Sequence, residues 1–546
     1  MDCTGICLTW IIGDIRNMSV KRSISVLAAV ALISALFAET QDTAAPGSQI
    51  ELSDASTVIE ETGITPEKEA VPDFSLILPL QPSSLPVLAD SNISADTLIQ
   101  SETPDSADAF GQDVFLEGAI GAGWPGFFSG DFSVYRNIGD EPFKLEFFHE
   151  SVMGIGLNKA PDGYESQQTV LTGEKQFAFG ESVLLDAAAG YETRTDGLQG
   201  KNAGFYDISR QNITGNFVLN WNAGPKLSFT GTAGGVFNTQ FVSAAGSASN
   251  TRKFAGFNSS AVLTLDEVEW SAGLNLKYDA GTAQNRFEAG GVFDVDILGY
   301  ANIAISASGV FARNSGNTRI PFAVVVKTGP DAPFTGSISG GMKSYAVNPV
   351  ALQKSTPFLF AGTTPSETVE WFGEAVADVP FFGPTVLNVS ADFAMTAHDG
   401  KRILPDYSAL DPATGLVAQT ESDITVLDST LGITVPLKIF NATFGWNASW
   451  IDKTRYDRTR DSSSALTAGI SFAGDNGAWG AGADVFWAFG NDPEIGLNGC
   501  YQLTKTVRLE LEAVDLVTLL TGKDRLICNT YAERGGYAAL FVKVNF

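Results

Sequence analysis

The feature that most constrains this chain is an alternation of apolar and polar residues, repeated segment after segment over residues 111–546. In "VEWSAGLNLKYD" (268–279), one parity carries Val, Trp, Ala, Leu, Leu and Tyr, and the other carries Glu, Ser, Gly, Asn, Lys and Asp. The segment "FNATFGWNASW" (440–450) follows the same pattern. Successive side chains of a β-strand point to opposite faces. Each segment therefore predicts a strand with one apolar face and one polar face.

The number and spacing of these segments separate a membrane barrel from a soluble sheet. A soluble antiparallel sandwich also alternates, but here about 22 segments follow one another at about 20 residues per strand and connection. Short connections, such as 222–225 and 266–267, alternate with mostly longer ones, such as 346–366 and 397–421. The predicted fold class is all-β, a large closed antiparallel transmembrane β-barrel of about 22 strands, with about 20–24 strands or a smaller barrel as alternatives.

Tryptophans on the apolar parity support placement in a membrane. Threading alternate strands up and down puts them at two levels, which predicts an aromatic girdle at each membrane interface. The predicted girdle residues are Trp221, Trp270 and Trp479 near the short turns and Trp371, Trp450 and Trp487 near the long loops. Seven prolines lie at or beside the short turns, and strand interiors largely exclude proline because it cannot donate to a β-ladder. Pro321 is the main exception.

The start of the chain predicts export. The stretch "MSVKRSISVLAAVALISALFA" (18–38) has a basic beginning and an apolar centre, as a secretory signal does. We predict that residues 1–38 are the signal-peptide region, with Met18 as the start. Residues 39–110 are acidic, rich in Ser and Pro and without a sustained period, which predicts a disordered exported segment. Residues 111–546 form the predicted barrel.

Charge and cysteine content exclude several classes of protein. The formal net charge of −28 argues against nucleic-acid binding, because phosphates require Lys and Arg. Four cysteines and two histidines are too few for a disulfide-dense scaffold or a zinc cluster. An oxidising compartment would allow a bridge between Cys500 and Cys528. We predict no cofactor and no metal.

The residues that could carry catalysis form no recognisable set. The stretch "GAGWPG" (121–126) matches GxGxxG, but a strand-like segment follows it where the nucleotide fingerprint requires a helix. The two histidines are His149 and His398, and no spacing pairs either of them with a serine and an acid. We therefore predict that the protein is not an enzyme.

The polar parity of the strands predicts the character of the lumen. It carries many acids and fewer bases, such as Lys277, Arg508 and Lys543. Rings of acidic side chains favour cations, but a wet lumen requires polar walls in any case, so both interpretations stay open. The predicted lumen-lining residues are Glu269, Asp279, Glu288, Asp294, Asp296, Glu370, Glu374, Asp378, Asp392, Asp484, Glu510 and Glu512.

The last predicted strand, "YAALFVKVNF" (537–546), resembles the C-terminal signal that the barrel assembly machinery reads in outer-membrane β-barrel proteins. Leu540, Val542, Val544 and Phe546 share one parity, and Phe546 is the terminal aromatic residue. We expect this strand to pair with the first one, because lipid cannot satisfy the backbone groups of an open edge.

The strand number resembles the barrel of TonB-dependent receptors. The stretch "DASTVIEE" (54–61) loosely resembles their TonB box, which would pair by strand addition. Those receptors also carry a folded plug domain, and residues 39–110 show no recognisable plug pattern. The resemblance implies a place in the outer membrane of a diderm bacterium, with the N-terminal segment in the periplasm or in the lumen.

Two hypotheses for function follow. In the first, the barrel is a channel or transporter that passes hydrophilic, including cationic, solutes through a polar acidic lumen. In the second, it is a surface binding protein or adhesin that presents its long extracellular loops to a ligand. The expected partners are the lipid bilayer, the barrel assembly machinery, a small solute or surface ligand, and a periplasmic protein that binds residues 39–110. A soluble secreted β protein is the third alternative.

Overall fold

A computed structural model describes most of residues 114–545. The gaps lie at 137–141, 156, 181, 202–203, 245–249, 282–283, 298, 313–317, 331, 347–348, 356–357, 360–366, 382–384, 397–401, 412–413, 424, 438–439, 453–463, 475–477, 528–530 and 533–534. The predicted signal peptide, the acidic segment, the stretch that resembles a TonB box, His398, Cys528 and Phe546 lie outside the described residues and stay predictions.

The described chain folds mainly into strands. They are β1 (Phe115–Trp124), β2 (Phe127–Arg136), β3 (Phe143–Met153), β4 (Glu165–Phe179), β5 (Val183–Gly197), β6 (Phe205–Asn222), β7 (Leu227–Ala244), β8 (Asn250–Asp266), β9 (Trp270–Gly281), β10 (Gln284–Ile297), β11 (Ala301–Ala312), β12 (Thr318–Arg319), β13 (Phe322–Thr328), β14 (Thr335–Ala346), β15 (Glu367–Pro380), β16 (Val386–Thr396), β17 (Arg402–Leu410), β18 (Val417–Ser422), β19 (Thr425–Pro436), β20 (Phe440–Asp452), β21 (Ser464–Ala473), β22 (Trp479–Ala488), β23 (Glu494–Gln502), β24 (Val507–Val514), β25 (Leu526–Ile527), β26 (Tyr531–Ala532) and β27 (Tyr537–Asn545). Helices α1 (Pro349–Ser355) and α2 (Leu516–Thr521) and a 3₁₀ turn (Ala160–Asp162) lie in connections. In the part of the chain that the structure describes, no helix has the length and apolar character needed to cross a membrane.

One antiparallel sheet contains 23 of these strands. Strands β12 and β13 both pair with β11 and are separated only by Ile320 and Pro321, so they are two pieces of a single wall strand, and the wall has 22 strands. Strand β1 pairs with β2 on one side and with β27 on the other, which closes the sheet. The predicted fold class, a closed antiparallel barrel of about 22 strands, is confirmed. Closure leaves the wall without an unpaired edge.

The alternation in the sequence places apolar side chains outside and polar ones inside. On β1, Leu116 and Ile120 lie on the outer face and are 44% and 51% exposed. Glu117 points inward and accepts a 2.6 Å hydrogen bond from the Tyr135 hydroxyl on β2. Large apolar side chains cover the outer face of strands all around the wall in the same way. An apolar exterior of this extent is stable against lipid and not against water.

Aromatic packing inside the lumen reinforces the closing seam between β1 and β27. Gly121 lies opposite Phe541, and a side chain at Gly121 would collide with the phenyl ring. The ring of Phe541 also packs against Phe127, with centroids 5.9 Å apart, and Phe127 stacks on Tyr537 at 4.5 Å. The glycine therefore provides the space in which the last strand lays its aromatic side chains against the first two strands.

The connections differ in length between the two ends of the barrel. At one end none of the connections between wall strands exceeds six residues, as at 180–182, 223–226 and 329–334. At the other end they include 347–366 and 515–536. The first wall strand begins and the last one ends on the short-turn side. This difference in length matches the short-turn and long-loop sides predicted from the sequence.

Candidate functional site

Most of the predicted lumen residues lie on the inward-facing parity of the wall strands. The inward positions are Asp279 on β9, Glu288, Asp294 and Asp296 on β10, Glu370, Glu374 and Asp378 on β15, Asp392 on β16, Asp484 on β22, and Glu510 and Glu512 on β24. Glu269 differs, because it lies in the turn between β8 and β9 and is exposed. The wall of the lumen is therefore acidic on many strands.

Basic side chains neutralise some of these carboxylates. The Arg286 guanidinium, on a residue only 5% exposed, lies 3.4 Å from Asp279 and 3.0 Å from Glu288. The Lys343 ammonium lies 3.3 Å from Glu370. A buried arginine of this kind needs its carboxylates, because an unpaired buried charge costs several kcal/mol. These pairs hold neighbouring strands in register and contribute little free negative charge.

A second group of charges bridges the last two wall strands. Glu510 on β24 lies 3.1 Å from Arg508 and 2.7 Å from Lys543 on β27. Glu512 accepts a 2.9 Å hydrogen bond from the Tyr537 hydroxyl, also on β27. These contacts stabilise the pairing of β24 with the closing strand.

Three carboxylates form a row across adjacent strands in the middle of the wall. Glu374 on β15 lies opposite Asp392 on β16, which lies opposite Asp428 on β19. Residues directly opposite each other on antiparallel strands have Cβ atoms about 4.5–5.5 Å apart, so these like charges repel one another. Among the described residues, no ion pair involves Glu374 or Asp392. We call Glu374, Asp392 and Asp428 the acidic row.

The remaining predicted acids interact with neutral groups. Their neighbours are Asn302 for Asp294, the Gly299 N–H for Asp296, Asn388 for Asp378 and Gly496 for Asp484. Asp296 thus holds a short turn by accepting the backbone N–H at 2.7 Å. The others lie next to uncharged partners.

The tryptophans lie on the outer face near both ends of the wall strands. Trp221 is near the end of β6, Trp270 and Trp479 begin β9 and β22 at short turns, Trp450 and Trp487 lie near the long-loop ends of β20 and β22, and Trp371 lies in the first half of β15. Four of them illustrate the outward exposure, from 38% to 47%: Trp221, Trp270, Trp479 and Trp487. The arrangement agrees with two aromatic levels, and the girdles stay a prediction.

The long connections fold over their mouth of the barrel and meet its inner wall. Nine buried residues form one apolar cluster: Leu198, Ile208 and Val242 from β5–β7 and the connection between β5 and β6, Leu352, Phe358 and Leu359 from the connection with α1, Leu416 and Val417 beside β17–β18, and Tyr531 of β26. Seven of the nine are completely buried, although they come from four separate parts of the chain. Burial of each such side chain stabilises the packing by about 1.5–3 kcal/mol. We call the connections that meet in this cluster the cap.

Polar contacts fasten the cap to the wall. Gln240 on β7 is fully buried and donates to the Leu359 carbonyl at 2.8 Å. Asn238, also on β7, donates to the Gln353 side chain on α1 at 3.1 Å. Buried amides of this kind are stable only when they are paired, so the wall supplies polar partners where the α1 connection rests on it.

One edge of the cap is held by the connection between β24 and β27. Gln199 and Ala532 exchange two hydrogen bonds, at 2.7 and 2.6 Å. In the same connection, Arg525 donates to both carboxylate oxygens of Asp515, at 2.6 and 3.1 Å. Burial alone would raise the pKa of Asp515, but hydrogen bonds from Arg525 and Thr518 outweigh it and lower the pKa below its ordinary value. This connection is therefore pinned at both its ends.

The structure also reveals inward-facing charges that the sequence reading missed. Asp196 lies 2.8 Å from Arg210 on β6 and 3.0 Å from Arg194, and Asp196 and Arg210 are almost fully buried. Glu192 receives the Lys354 ammonium at 2.9 Å. The signal was present, because the polar parity of "GYETRTDG" carries Glu192, Arg194 and Asp196 in succession.

Groups with catalytic or redox chemistry are sparse. His149 lies on the outer face of β3, with Nδ1 2.9 Å from the Thr169 hydroxyl and its ring beside Phe128. Among the described residues, no group of three His, Cys, Asp or Glu side chains is arranged to hold a metal ion. Cys500 lies on the inward parity of β23, opposite Glu510. Its bridge to Cys528 stays a prediction.

Comparison with known proteins finds similar structures but no similar sequences. No protein-family model matches the sequence, and no curated protein sequence matches it. The iron transporter FrpB of Neisseria meningitidis aligns with a TM-score of 0.61 at 9% identity, over 81% of this chain and 83% of that one. A mutant of the ferric enterobactin receptor PfeA of Pseudomonas aeruginosa gives 0.59 at 10% identity, over 80% and 81%. The copper transporter OprC gives 0.56 at 12% identity, over 79% and 81%.

The closed wall of 22 strands and its apolar exterior define the class: this is an outer-membrane β-barrel protein. Its barrel has the fold of the barrel in TonB-dependent receptors. At 9–12% identity the likeness concerns fold and not the solute. The resemblance to those barrels and the outer-membrane localisation predicted from the sequence are confirmed.

Proposed function

We propose that the barrel is a channel or transporter that passes hydrophilic, cationic solutes through its acidic lumen. The observation that carries the proposal is the acidic row, in which Glu374, Asp392 and Asp428 face one another across three neighbouring strands. Rings of acidic side chains attract cations and repel anions, and this effect is strongest in a narrow low-dielectric passage. The names of the iron and copper transporters with the same fold support transport as the class of function.

The solute would enter at the mouth that the cap covers and leave on the short-turn side. The bases in the lumen do not reverse its charge, because Arg286, Lys343 and Arg508 each lie beside carboxylates. With these three bases beside carboxylates and an acidic row in the middle of the wall, the lumen would select by charge without a tight binding site. The solute class is therefore set by positive charge and by hydrophilic character.

The experiment measures efflux from vesicles that contain the purified barrel. Three fluorescent solutes of one size, with positive, zero and negative charge, are loaded together, and the cationic solute should leave fastest. The variant Glu374→Gln/Asp392→Asn/Asp428→Asn should lose this preference and keep the efflux of the neutral solute. The matched control Glu165→Gln/Asp207→Asn/Glu267→Gln removes three charges from outside the lumen and should behave as the wild type.

The second candidate, a surface-binding barrel or adhesin, is favoured by the cap, because four parts of the chain build an ordered surface on the long-loop side. Efflux separates the two functions. A barrel that releases none of the three solutes under any condition supports the adhesin. Efflux that favours the anionic solute contradicts the proposed cation pathway.

A further inference from the structure

The inward face of β15 carries a carboxylate, an aromatic ring and a second carboxylate in succession. They belong to Glu370, Phe372 and Glu374, which share one parity. Alternate residues of a strand lie about 6–7 Å apart, so the two carboxylates flank the ring along the strand. The residues opposite Phe372 are Gly341 on β14 and Ala394 on β16, the two smallest residue types. Neither is large enough to cover the ring, and Phe372 stays partly exposed.

An ammonium group of the protein itself already lies on this ring. The Lys343 Nζ is 4.7 Å from the centroid of Phe372 and 3.3 Å from a Glu370 carboxylate oxygen. An aromatic face attracts a cation that lies within about 6 Å of its centroid. The side chain of Glu370 is only 5% exposed, whereas that of Lys343 is 40% exposed and remains open to the lumen. The lysine therefore shows which chemical group fits here, a primary ammonium on an alkyl stem.

We propose that the face of Phe372, between Glu370 and the acidic row, is a binding site for an organic ammonium ion, and that Lys343 competes with the solute for it. This inference rests on the proposed function, since it names the class of cation that the acidic lumen takes. A solute ammonium that displaces Lys343 supplies the same charge to Glu370. The Tyr345 hydroxyl meanwhile keeps its 3.1 Å hydrogen bond to that carboxylate. The exchange therefore leaves no buried carboxylate without a partner.

The ring gives this site a preference that the acidic row alone lacks. Carboxylates attract every cation of the same charge, because Coulomb attraction depends on charge and distance. An aromatic face favours organic ammonium ions in addition, since they shed water more readily than a small hydrated metal ion does. The site therefore selects organic ammonium ions over potassium.

Lys343 sets the affinity of the site. Its ammonium is tethered beside the ring, so the solute binds only in the fraction of molecules in which Lys343 has left the face. The apparent affinity for the solute is reduced by that fraction. Removal of the lysine ammonium should consequently tighten binding of the solute.

The test measures binding of n-butylammonium, the lysine side chain as a free solute, to the purified barrel in neutral detergent micelles with KCl. Transverse relaxation of the butylammonium methyl protons speeds up on binding to so large a particle, and a titration gives the affinity. Lys343→Met removes the competing ammonium and keeps a long side chain. The affinity should rise by about two- to fivefold, the factor by which an aromatic face holds a cation at an exposed position. Empty micelles serve as the blank.

A second substitution isolates the ring. Lys343→Met/Phe372→Leu leaves the charge of Lys343→Met unchanged and should weaken binding by about two- to fivefold. Lys343→Met/Phe372→Tyr supplies an aromatic face again and should restore the affinity that the leucine loses.

The matched control Lys327→Met removes another inward-facing lysine and should bind as the wild type does. Lys327 lies opposite Ser337, six residues and about 20 Å from Lys343 along β14, which exceeds the screening length in salt. The control solute n-butanol is uncharged and of the same size, and it should not bind. Heat-dependent mobility in electrophoresis verifies that each variant is folded.

Equal affinities of Lys343→Met and Lys343→Met/Phe372→Leu overturn the site on the ring, and so does equally tight binding of n-butanol. An affinity that Lys343→Met leaves unchanged overturns the competition by Lys343. If no variant binds butylammonium but efflux favours the cationic solute, the site is rejected and the channel is retained. If butylammonium binds as expected but the barrel releases no solute, the site is retained and the channel is rejected.

Discussion

Glu117 on the first wall strand lies opposite Asn545 on the last, in the same antiparallel ladder that pairs Ile120 with Val542. The two strands are separated by nearly the whole described chain and nonetheless complete the wall. Their pairing gives the barrel a continuous ladder, so that no backbone edge faces lipid.

The closing ladder predicts a specific disulfide. In a background without Cys500 and Cys528, Ile120→Cys/Val542→Cys should oxidise readily, because these residues are direct neighbours on the outer face. The control Ile120→Cys/Ala538→Cys keeps the same face but is offset by four residues, about 13 Å along the strand, which is too far for a disulfide. Electrophoresis of membrane fractions under denaturing conditions detects the bridge. Equal oxidation of both pairs contradicts the register.

The C-terminal residue should matter for assembly more than its inward neighbour does. Phe546→Asp should reduce the amount of folded protein in the outer membrane, because it places a charge in the terminal aromatic position of the predicted assembly signal. Lys543→Ala removes only the 2.7 Å ion pair with Glu510 and should assemble nearly as the wild type does. Heat-dependent mobility of membrane fractions measures both. Equal assembly of the two variants refutes the signal.

The buried ring of Tyr531 predicts graded effects on the stability of the cap. Tyr531→Ala should destabilise the cap by about 3–5 kcal/mol, because the ring is fully buried. Tyr531→Phe should cost only about 0.5–1.5 kcal/mol, because it keeps the stack on Phe358 and loses one hydrogen bond. Hydrogen exchange of the amides of α1 should therefore speed up more in Tyr531→Ala than in Tyr531→Phe. The exposed Tyr206→Ala serves as a control, and unchanged exchange in Tyr531→Ala would contradict a stabilising role for the ring.

The pinned connection should respond to acid. The pKa of Asp515 is below its ordinary value in the folded protein, so its contribution to stability is present at neutral pH and is lost as pH falls below the ordinary carboxyl range, about 3.9. Asp515→Asn should remove about 1.5–3 kcal/mol of local protection at neutral pH. Hydrogen exchange of the amides of α2 measures it.

The control for that loss is Asp492→Asn, which breaks the exposed pair with Lys523 and should cost less than about 1 kcal/mol. Protection of α2 that is unchanged in Asp515→Asn, or that increases in acid, would show that the Arg525 pair does not hold this connection.

The wall was predictable because its signal is local. Alternation at a period of two in segments such as 268–279 reports which face of a strand meets lipid, whatever lies elsewhere in the chain. Even Pro321 did not disturb the strand number, because the pieces on either side of it pair with the same neighbour. Glu269 shows the limit of this pattern. The alternating segment begins at residue 268, but β9 begins at Trp270, so Glu269 lies in the turn and not on the wall.

The cap could not be predicted from the sequence, for a physical reason. Its contacts join residues far apart in the chain, such as Gln199 with Ala532, and the long connections have no period that would reveal them. The ion pairs of the lumen could not be predicted either, because alternation predicts which face a residue lies on and not which residue it contacts.

The central claim is that the acidic lumen conducts cations in preference to anions. The most direct measurement is the reversal potential of the purified barrel in a planar bilayer under a KCl gradient. We expect the reversal potential to have the sign that selective potassium permeation produces. In Glu374→Gln/Asp392→Asn/Asp428→Asn the reversal potential should shift towards zero. A reversal potential with the sign given by chloride permeation would contradict it.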